Sequence, residues 1–255
     1  SPAPHHLGGL LGVLLPARVL HNAARYHDAV VAPCAGCYNR LRYSRGMLRR
    51  DKSLRDRMET VLGQPPRHDI EVFDVLDFFN REIDYEEMAL RSHGRLCGVK
   101  FATYYGCMLT RPPEVIPRPD SKDPVSMEML LRATGAEVPF FPLKTECCGS
   151  YLGLGAKEIV MSASRRILEL AAADGYDAIV TACPLCQQNL DLRQAQINRK
   201  FGTSFRMPVL YFSQVIGLGI GLSAGELGLD ANIVAPPVDD WLTHDAEPLK
   251  EVEVP

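Results

Sequence analysis

Eight cysteines are spread over a chain of 255 residues, and five of them fall in a pattern suited to redox or metal chemistry. Cys107 is followed after 39 residues by the adjacent pair Cys147-Cys148 in TECCGSYLG, and after a further 34 residues by Cys183-x-x-Cys186 in TACPLC. Adjacent cysteines are poor disulfide partners, because the ring they close is strained. They are also a poor pair of core residues, since neighbouring side chains of a strand point to opposite faces. Two thiolates at one point of the backbone suit a centre with more than one metal atom. Structural zinc is satisfied by four ligands, so a fifth thiolate is one too many. Iron–sulfur clusters are polynuclear and held by cysteine, yet five ligands exceed what a cubane with one cysteine per iron requires. The chemistry favours an iron–sulfur site of unusual shape over zinc with a spare redox thiol, and over a set of buried structural cysteines.

A second Cys-x-x-Cys, Cys34 and Cys37, lies in DAVVAPCAGCYNRLR, which starts at Asp28. Shifted by 149 residues, it superposes without a gap on DAIVTACPLCQQNLDLR, which starts at Asp177. Asp28 falls on Asp177, Val31 on Val180, Cys34 on Cys183 and Cys37 on Cys186. Each copy reads as a short buried strand, the two cysteines, then a helix, and the match points to an internal duplication. The same shift sets Ser1 on Ser150, and the chain begins SPAPHH with no initiator Met. The first repeat is therefore expected to be truncated just after its own Cys-Cys-Gly.

The elements that must position these cysteines read as α/β. VKFATYYGC (99–107), EVPFFPL (137–143), DAIVTAC (177–183) and MPVLYF (207–212) are strand-like, and three of them run into cysteines. SMEMLLRATGA (126–136) and AKEIVMSASRRILELAAADG (156–175) read as helices, the second with Ile159, Ile167, Leu168 and Leu170 on an apolar stripe. Alternation of strands and helices predicts a mostly parallel sheet, and in such sheets binding groups gather beyond the carboxyl ends of the strands. The expected organisation is two pseudo-repeated domains, each a small mostly parallel sheet flanked by helices with the cysteines at strand ends. Their ranges are 1–92, incomplete, and 93–234, with an extended acidic, proline-rich tail over 235–255. Residues 40–66 read as a long basic helix with a solvated face, and 77–88 as a connector between the repeats.

Composition narrows the function classes. With 46% hydrophobic and 23% charged residues the chain can bury a real core. A formal net charge of −3 gives no electrostatic case for nucleic acid. The longest apolar stretches, 7–16 and 215–222, are too short to span a bilayer, and no signal peptide is evident. A cytoplasmic protein with reduced cysteines is expected, so metal binding is favoured over a disulfide framework.

With its surroundings YYGCMLTRPPEV, KTECCGSYL, TACPLCQQNLDLR and PVLYFSQVIGLGIGLS, the pattern C…CCG…CPLC resembles the B-type subunit of heterodisulfide reductase, a family with a duplicated cysteine-rich CCG domain. The resemblance spans roughly residues 28–235. It implies two noncubane 4Fe–4S clusters, one per repeat and each held by five cysteines, between which a disulfide is cleaved. Carried over, Cys107, Cys147, Cys148, Cys183 and Cys186 would hold the cluster of the C-terminal repeat. Cys34 and Cys37 match the last pair of the first motif, where a second cluster or, alternatively, zinc would bind. The resemblance also implies an iron–sulfur partner of the C type, a flavin-containing partner of the A type, and a small disulfide or thiol substrate. A different reading keeps open an electron-transfer module of a bifurcating or sulfur-metabolising complex, without disulfide chemistry of its own.

Weaker signals carry little chemistry. Cys97 reads as a small buried hydrophobe. The glycines of GSYLGLGAKE (149–158) lack a P-loop ending and read as places of close backbone approach to a cluster. Lys144 and Arg111, beside cluster cysteines in sequence, could balance charge or serve ordinary surface roles, and His5-His6 reads as a solvated loop.

Overall fold

A computed structural model of the chain describes residues 9–153 and 155–242; His5, His6 and the tail from residue 243 onward lie outside the described residues. The chain divides into two compact units, residues 1–78 with 108–121, and residues 79–107 with 122–255.

The first unit contains α1 (Leu11–Ala23), β1 (Ala29–Ala32), α2 (Ala35–Arg50), α3 (Lys52–Leu62), β2 (Glu71–Asp74) and the start of α4 (Val75–Glu82). β1 and β2 pair in parallel, Ala29 opposite Glu71 through Ala32 opposite Asp74. Val13 and Ala17 of α1 pack with Leu48 of α2 and with Leu54 and Met58 of α3. The single basic helix expected over 40–66 is two helices. Asp51 breaks it with an extended backbone (φ −114°, ψ 106°), and its carboxylate accepts from the Leu54 N–H at 3.0 Å to cap α3. Nor is its basic face wholly solvated. Arg40 and Arg45 are buried, Arg40 donating to Asn39 Oδ1 and Arg45 forking onto Glu71. Residues 108–121 lie on α2, where Asn39 Nδ2 donates to the carbonyls of Met108 (3.1 Å) and Arg111 (2.8 Å).

The second unit runs through α5 (Tyr85–Ser92), β3 (Phe101–Tyr104), α6 (Ser126–Arg132), α7 (Lys157–Ala173), β4 (Ala178–Thr181), α8 (Pro184–Leu192), α9 (Gln194–Phe201), β5 (Val209–Tyr211), α10 (Phe212–Gly219) and α11 (Val238–Trp241). The stretch expected as a connector over 77–88 is thus helical, in α4 and α5. β3, β4 and β5 form a parallel sheet in that order, with Phe101 opposite Ala178 and Ile179 opposite Val209. Every residue of β3 and β4 is buried, as a parallel sheet with both faces covered requires. The α/β class and the small parallel sheets flanked by helices match the expectation from sequence.

Two local expectations fail. EVPFFPL makes a single bridge, Glu137 to Lys100, and otherwise runs on as irregular chain. The buried stripe of α7 is Val160, Ser164, Ile167, Leu168 and Ala171, while Ile159 is 58% exposed. Ile159 and Ser164 exchange the burial that hydrophobicity alone assigns them, because Ser164 has a buried partner described below.

Candidate metal centre

The second sheet sets its cysteines side by side. β3 and β4 are adjacent and parallel, so their carboxyl ends open together: Cys107 follows β3, and Cys183 follows β4 as the N-cap residue of α8. Cys186 lies in the first turn of that helix. The Cys147-Cys148 segment is brought in by tertiary bonds. Tyr105 and Gly106 N–H both donate to the Lys144 carbonyl, at 2.8 and 3.0 Å. The Tyr104 hydroxyl donates to the Glu146 carbonyl at 2.6 Å. The Cys148 carbonyl in turn accepts from Asn189 Nδ2 at 2.8 Å and Ser164 Oγ at 3.2 Å. The five sequence-selected cysteines thus lie at one end of the sheet as a pair and a trio. Cys107 and Cys147 sulfurs are 3.6 Å apart, those of Cys148 and Cys186 are 3.5 Å apart, and the Cys183 side chain hydrogen-bonds that of Cys186.

Burial and charge divide the set. Cys148, Cys183 and Cys186 are buried, Cys107 is partly exposed and Cys147 is exposed. A proton shared with Cys186 lowers the pKa of Cys148. The hydrogen bonds to Cys148 and Cys183, reinforced by burial, push Cys186 well up. The Gly149 N–H points to the Cys147 sulfur at 3.3 Å. Tyr104, fully buried, is raised well above the ordinary phenol range by burial and then by the negative charge of Cys186, Cys148, Cys107 and Cys147. Four of the five sulfurs thus act on one buried ring.

The donor set fits a polynuclear sulfur-ligated group. All eight cysteines are among the described residues and none is in a disulfide. Among the described residues no three His, Cys, Asp or Glu side chains gather as a site for a single ion. Five sulfurs arriving from three segments suit a larger centre. Gly106, at φ 67°, is part of the cradle: a Cβ there would lie 3.1 Å from the Cys186 sulfur. Gly149, at φ 78°, also allows close approach, but to α7, where a Cβ would lie 3.1 Å from Val160 Cα.

The other sequence candidates are placed differently. Cys34 is the N-cap residue of α2 after β1, and Cys37 sits in the first turn, both partly exposed. A hydrogen bond from Cys37 draws the Cys34 thiol down to about 6. Cys97 is exposed rather than a buried hydrophobe. Lys144 is buried, with its ammonium on Glu128 (2.9 Å), Asp123 and the Pro124 carbonyl (2.7 Å), so its charge is already matched. Arg111 is exposed, in the segment that lies on α2. Sequence reasoning missed Tyr104, Ser164 and Asn189. A serine on an otherwise apolar helix stripe was the one available signal.

A cysteine-lined sheet end in a small parallel α/β unit defines a cysteine-rich redox or metal-binding subunit. Residues 101–191 match the CCG family, the cysteine-rich domain. The B-type subunit of the ferredoxin:CoB-CoM heterodisulfide reductase of Methanosarcina mazei is 31% identical over 225 residues, covering 86% of this chain and 75% of that protein. The B-type subunit of the ferredoxin/F420H2-dependent CoB-CoM heterodisulfide reductase of Methanosarcina acetivorans is 32% identical over 227 residues, with 86% and 75% covered. The 8-methylmenaquinol:fumarate reductase membrane anchor subunit of Wolinella succinogenes is 30% identical over 221 residues, with 86% and 76% covered. A crystal structure of a hypothetical protein from Helicobacter pylori shares the fold, with a TM-score of 0.72 at 13% identity over 88% of this chain and 42% of that one. The chain belongs to the family of heterodisulfide reductase B-type subunits. Its cysteine-rich domain and these relatives support an electron-transfer role within a reductase. No described helix is long and apolar enough to cross a membrane.

Proposed function

We propose that this chain is the cytoplasmic iron–sulfur subunit of a heterodisulfide-reductase-like complex, in which a disulfide is reduced, or formed, beside Cys107, Cys147, Cys148, Cys183 and Cys186. The observation that carries this reading is the convergence of five cysteine sulfurs at the end of one parallel sheet. The group they would hold is a noncubane 4Fe–4S cluster, which when bound supplies electrons and an iron able to take a sulfur ligand. The chain's own residues hold and shape that place. Buried Cys148, Cys183 and Cys186 form its protein side, while Cys147 and Cys107 stand toward solvent, where a substrate arrives. Asn189 and Ser164 fix the Cys148 backbone. The raised pKa of Tyr104 keeps its proton in the bond to the Glu146 carbonyl. One disulfide, two electrons and two protons give two thiols. The electrons come from an iron–sulfur partner of the C type and a flavin-containing partner of the A type. Disulfide reduction by the anaerobic complex with a reduced viologen dye tests this reading; a loaded complex that reduces no disulfide contradicts it.

The first unit supports a second such centre. Its β1–Cys-x-x-Cys–α2 run repeats β4–Cys-x-x-Cys–α8, with Cys34 and Cys183 both capping a helix. A cavity of about 480 Å³ in this unit is lined by Pro16, whose counterpart Arg165 is half-buried, by Asn22, and by Leu15, Arg18, Val19, Cys37, Arg40 and Leu41; the last six carry the comparison. Under the 149-residue shift those six match Ser164, Ile167, Leu168, Cys186, Asn189 and Leu190, each buried in the second unit. There, Ser164 and Asn189 hold the Cys148 carbonyl and Cys186 meets the Cys148 sulfur. We read 1–92 and 93–234 as two copies of one design. A segment carrying a cysteine and a Cys-Cys-Gly turn would complete the first with Cys34 and Cys37, and zinc on that pair is the competing outcome.

An electron relay without disulfide chemistry is the second reading. It is favoured by the relative named as a fumarate reductase subunit, and a cluster spectrum unmoved by added thiol or disulfide would select it.

A further inference from the structure

Behind the cysteines lies a buried ion pair that the chemistry above does not use. Glu128, on α6, and Lys144 are both 3% exposed. Glu128 accepts from Lys144 Nζ at 2.9 Å, from Thr103 Oγ1 at 2.9 Å, and from the Tyr105 hydroxyl. Thr103 and Tyr105 belong to the stretch that ends in Cys107, and Lys144 to the stretch that ends in Cys147. One carboxylate therefore ties both cysteine-bearing segments. The backbone repeats the tie, because Tyr105 and Gly106 N–H meet the Lys144 carbonyl. The Tyr105 hydroxyl also accepts from the Met127 N–H at 2.6 Å, which locks the bond to the first turn of α6. A buried ion pair is weak support for stability, since well-packed neutral side chains often replace it at no loss. Such pairs are better suited to fixing geometry.

We propose that Glu128 and Lys144 are positioning residues that set the separation of the Cys107 and Cys147 sulfurs, and through it the electronic properties of the group those cysteines bind. The inference rests on the five cysteines being cluster ligands.

The test uses the complex purified anaerobically and compares the wild type with E128Q/K144M, which removes both charges together, and with K144R, which keeps the pair. A third variant, L130A, is a core control on the same helix. Iron per chain, melting temperature, the low-temperature EPR spectrum and the midpoint potential are read for each. The expected result is that E128Q/K144M keeps its iron but shows a shifted potential and an altered spectrum, that K144R stays close to wild type in both, and that L130A, even if less stable, leaves them in place. An unchanged potential and spectrum in a folded, iron-loaded E128Q/K144M overturns the proposal. A shift in L130A equal to that in the double variant also overturns it. If the double variant fails to fold, E128Q alone, in which Lys144 keeps its contact with Asp123, carries the test: a folded, iron-loaded E128Q with the potential and spectrum of the wild type overturns the proposal. Wild-type complex with no iron on this chain would instead remove the cluster reading itself.

Discussion

The two Cys-x-x-Cys motifs occupy the same local structure and different surroundings. In both, a parallel strand ends, the first cysteine caps a helix and the second lies in its first turn. Around Cys183 and Cys186 the strand β4 has a neighbour on each side and is buried throughout. Around Cys34 and Cys37 the strand β1 pairs, among the described residues, only with β2 and is buried at Ala32 alone. The helix before each strand tells the same story. Val160 and Leu168 of α7 are fully buried, whereas their counterparts on α1, Leu11 and Val19, are about half exposed at 51% and 50%. The difference teaches that the strand, cysteines and helix are encoded locally, while the centre is completed by distant segments that the second unit contains.

The largest effects lie at the ligands. Cys186→Ser should remove most of the iron bound by the second unit, while Cys97→Ser, at an exposed cysteine outside the set, should leave it; iron analysis of both variants in the anaerobic complex checks this. Next come the residues that seat Cys148. Asn189→Ala leaves a buried carbonyl with one donor fewer, at a cost of about 1–3 kcal/mol. Truncating Leu15, which corresponds to Ser164 but is 43% exposed, should shift stability by no more than about 0.5 kcal/mol. Denaturant melts of the two variants sharpen the contrast.

Smaller still is the effect at the strand starts. Asp177, exposed like its counterpart Asp28, accepts on Oδ2 from the Lys100 N–H at 2.7 Å, aligning β3 with β4. Asp177→Ala should cost up to about 1 kcal/mol and Asp28→Ala almost nothing, again by denaturant melts.

The thiols should also titrate apart. Cys37 hydrogen-bonds to Cys34 and lowers it to about 6, whereas Cys186 is pushed up. A depressed folded-state pKa stabilises the fold above the unfolded value and loses that contribution as pH falls through about 6. In metal-stripped protein, iodoacetamide labelling of Cys34 should therefore reach half its maximal rate near pH 6, with Cys186 unlabelled there. A Cys34 midpoint near an ordinary thiol value would contradict the contrast.

Much of the second unit was legible in sequence because its signals are local. Strand hydrophobicity, the cysteine spacing and glycine stops located β3, β4, α7 and α8 and selected all five converging cysteines. What was not legible is tertiary. Asp51 divides a continuous basic pattern by capping α3, a short-range signal masked by the charge run around it. Residues 137–143 have strand composition, but only Glu137 finds a ladder partner. Ser164, Asn189 and Glu128 look like surface residues in sequence and are buried because their partners lie 16 to 41 residues away. Arg40 and Arg45 deceive in the same manner, since burial of an arginine depends on a partner that composition does not reveal.

The central claim is that the second unit's five cysteines hold a polynuclear iron–sulfur group. The most direct measurement is iron and acid-labile sulfide in the intact complex prepared anaerobically, normalised to this chain after the partners' clusters are subtracted. About four irons with matching sulfide per chain, lost in Cys186→Ser, is the predicted result, rising to about eight where the first unit is also loaded. Zinc in place of iron, or iron that persists in Cys186→Ser, would contradict the account.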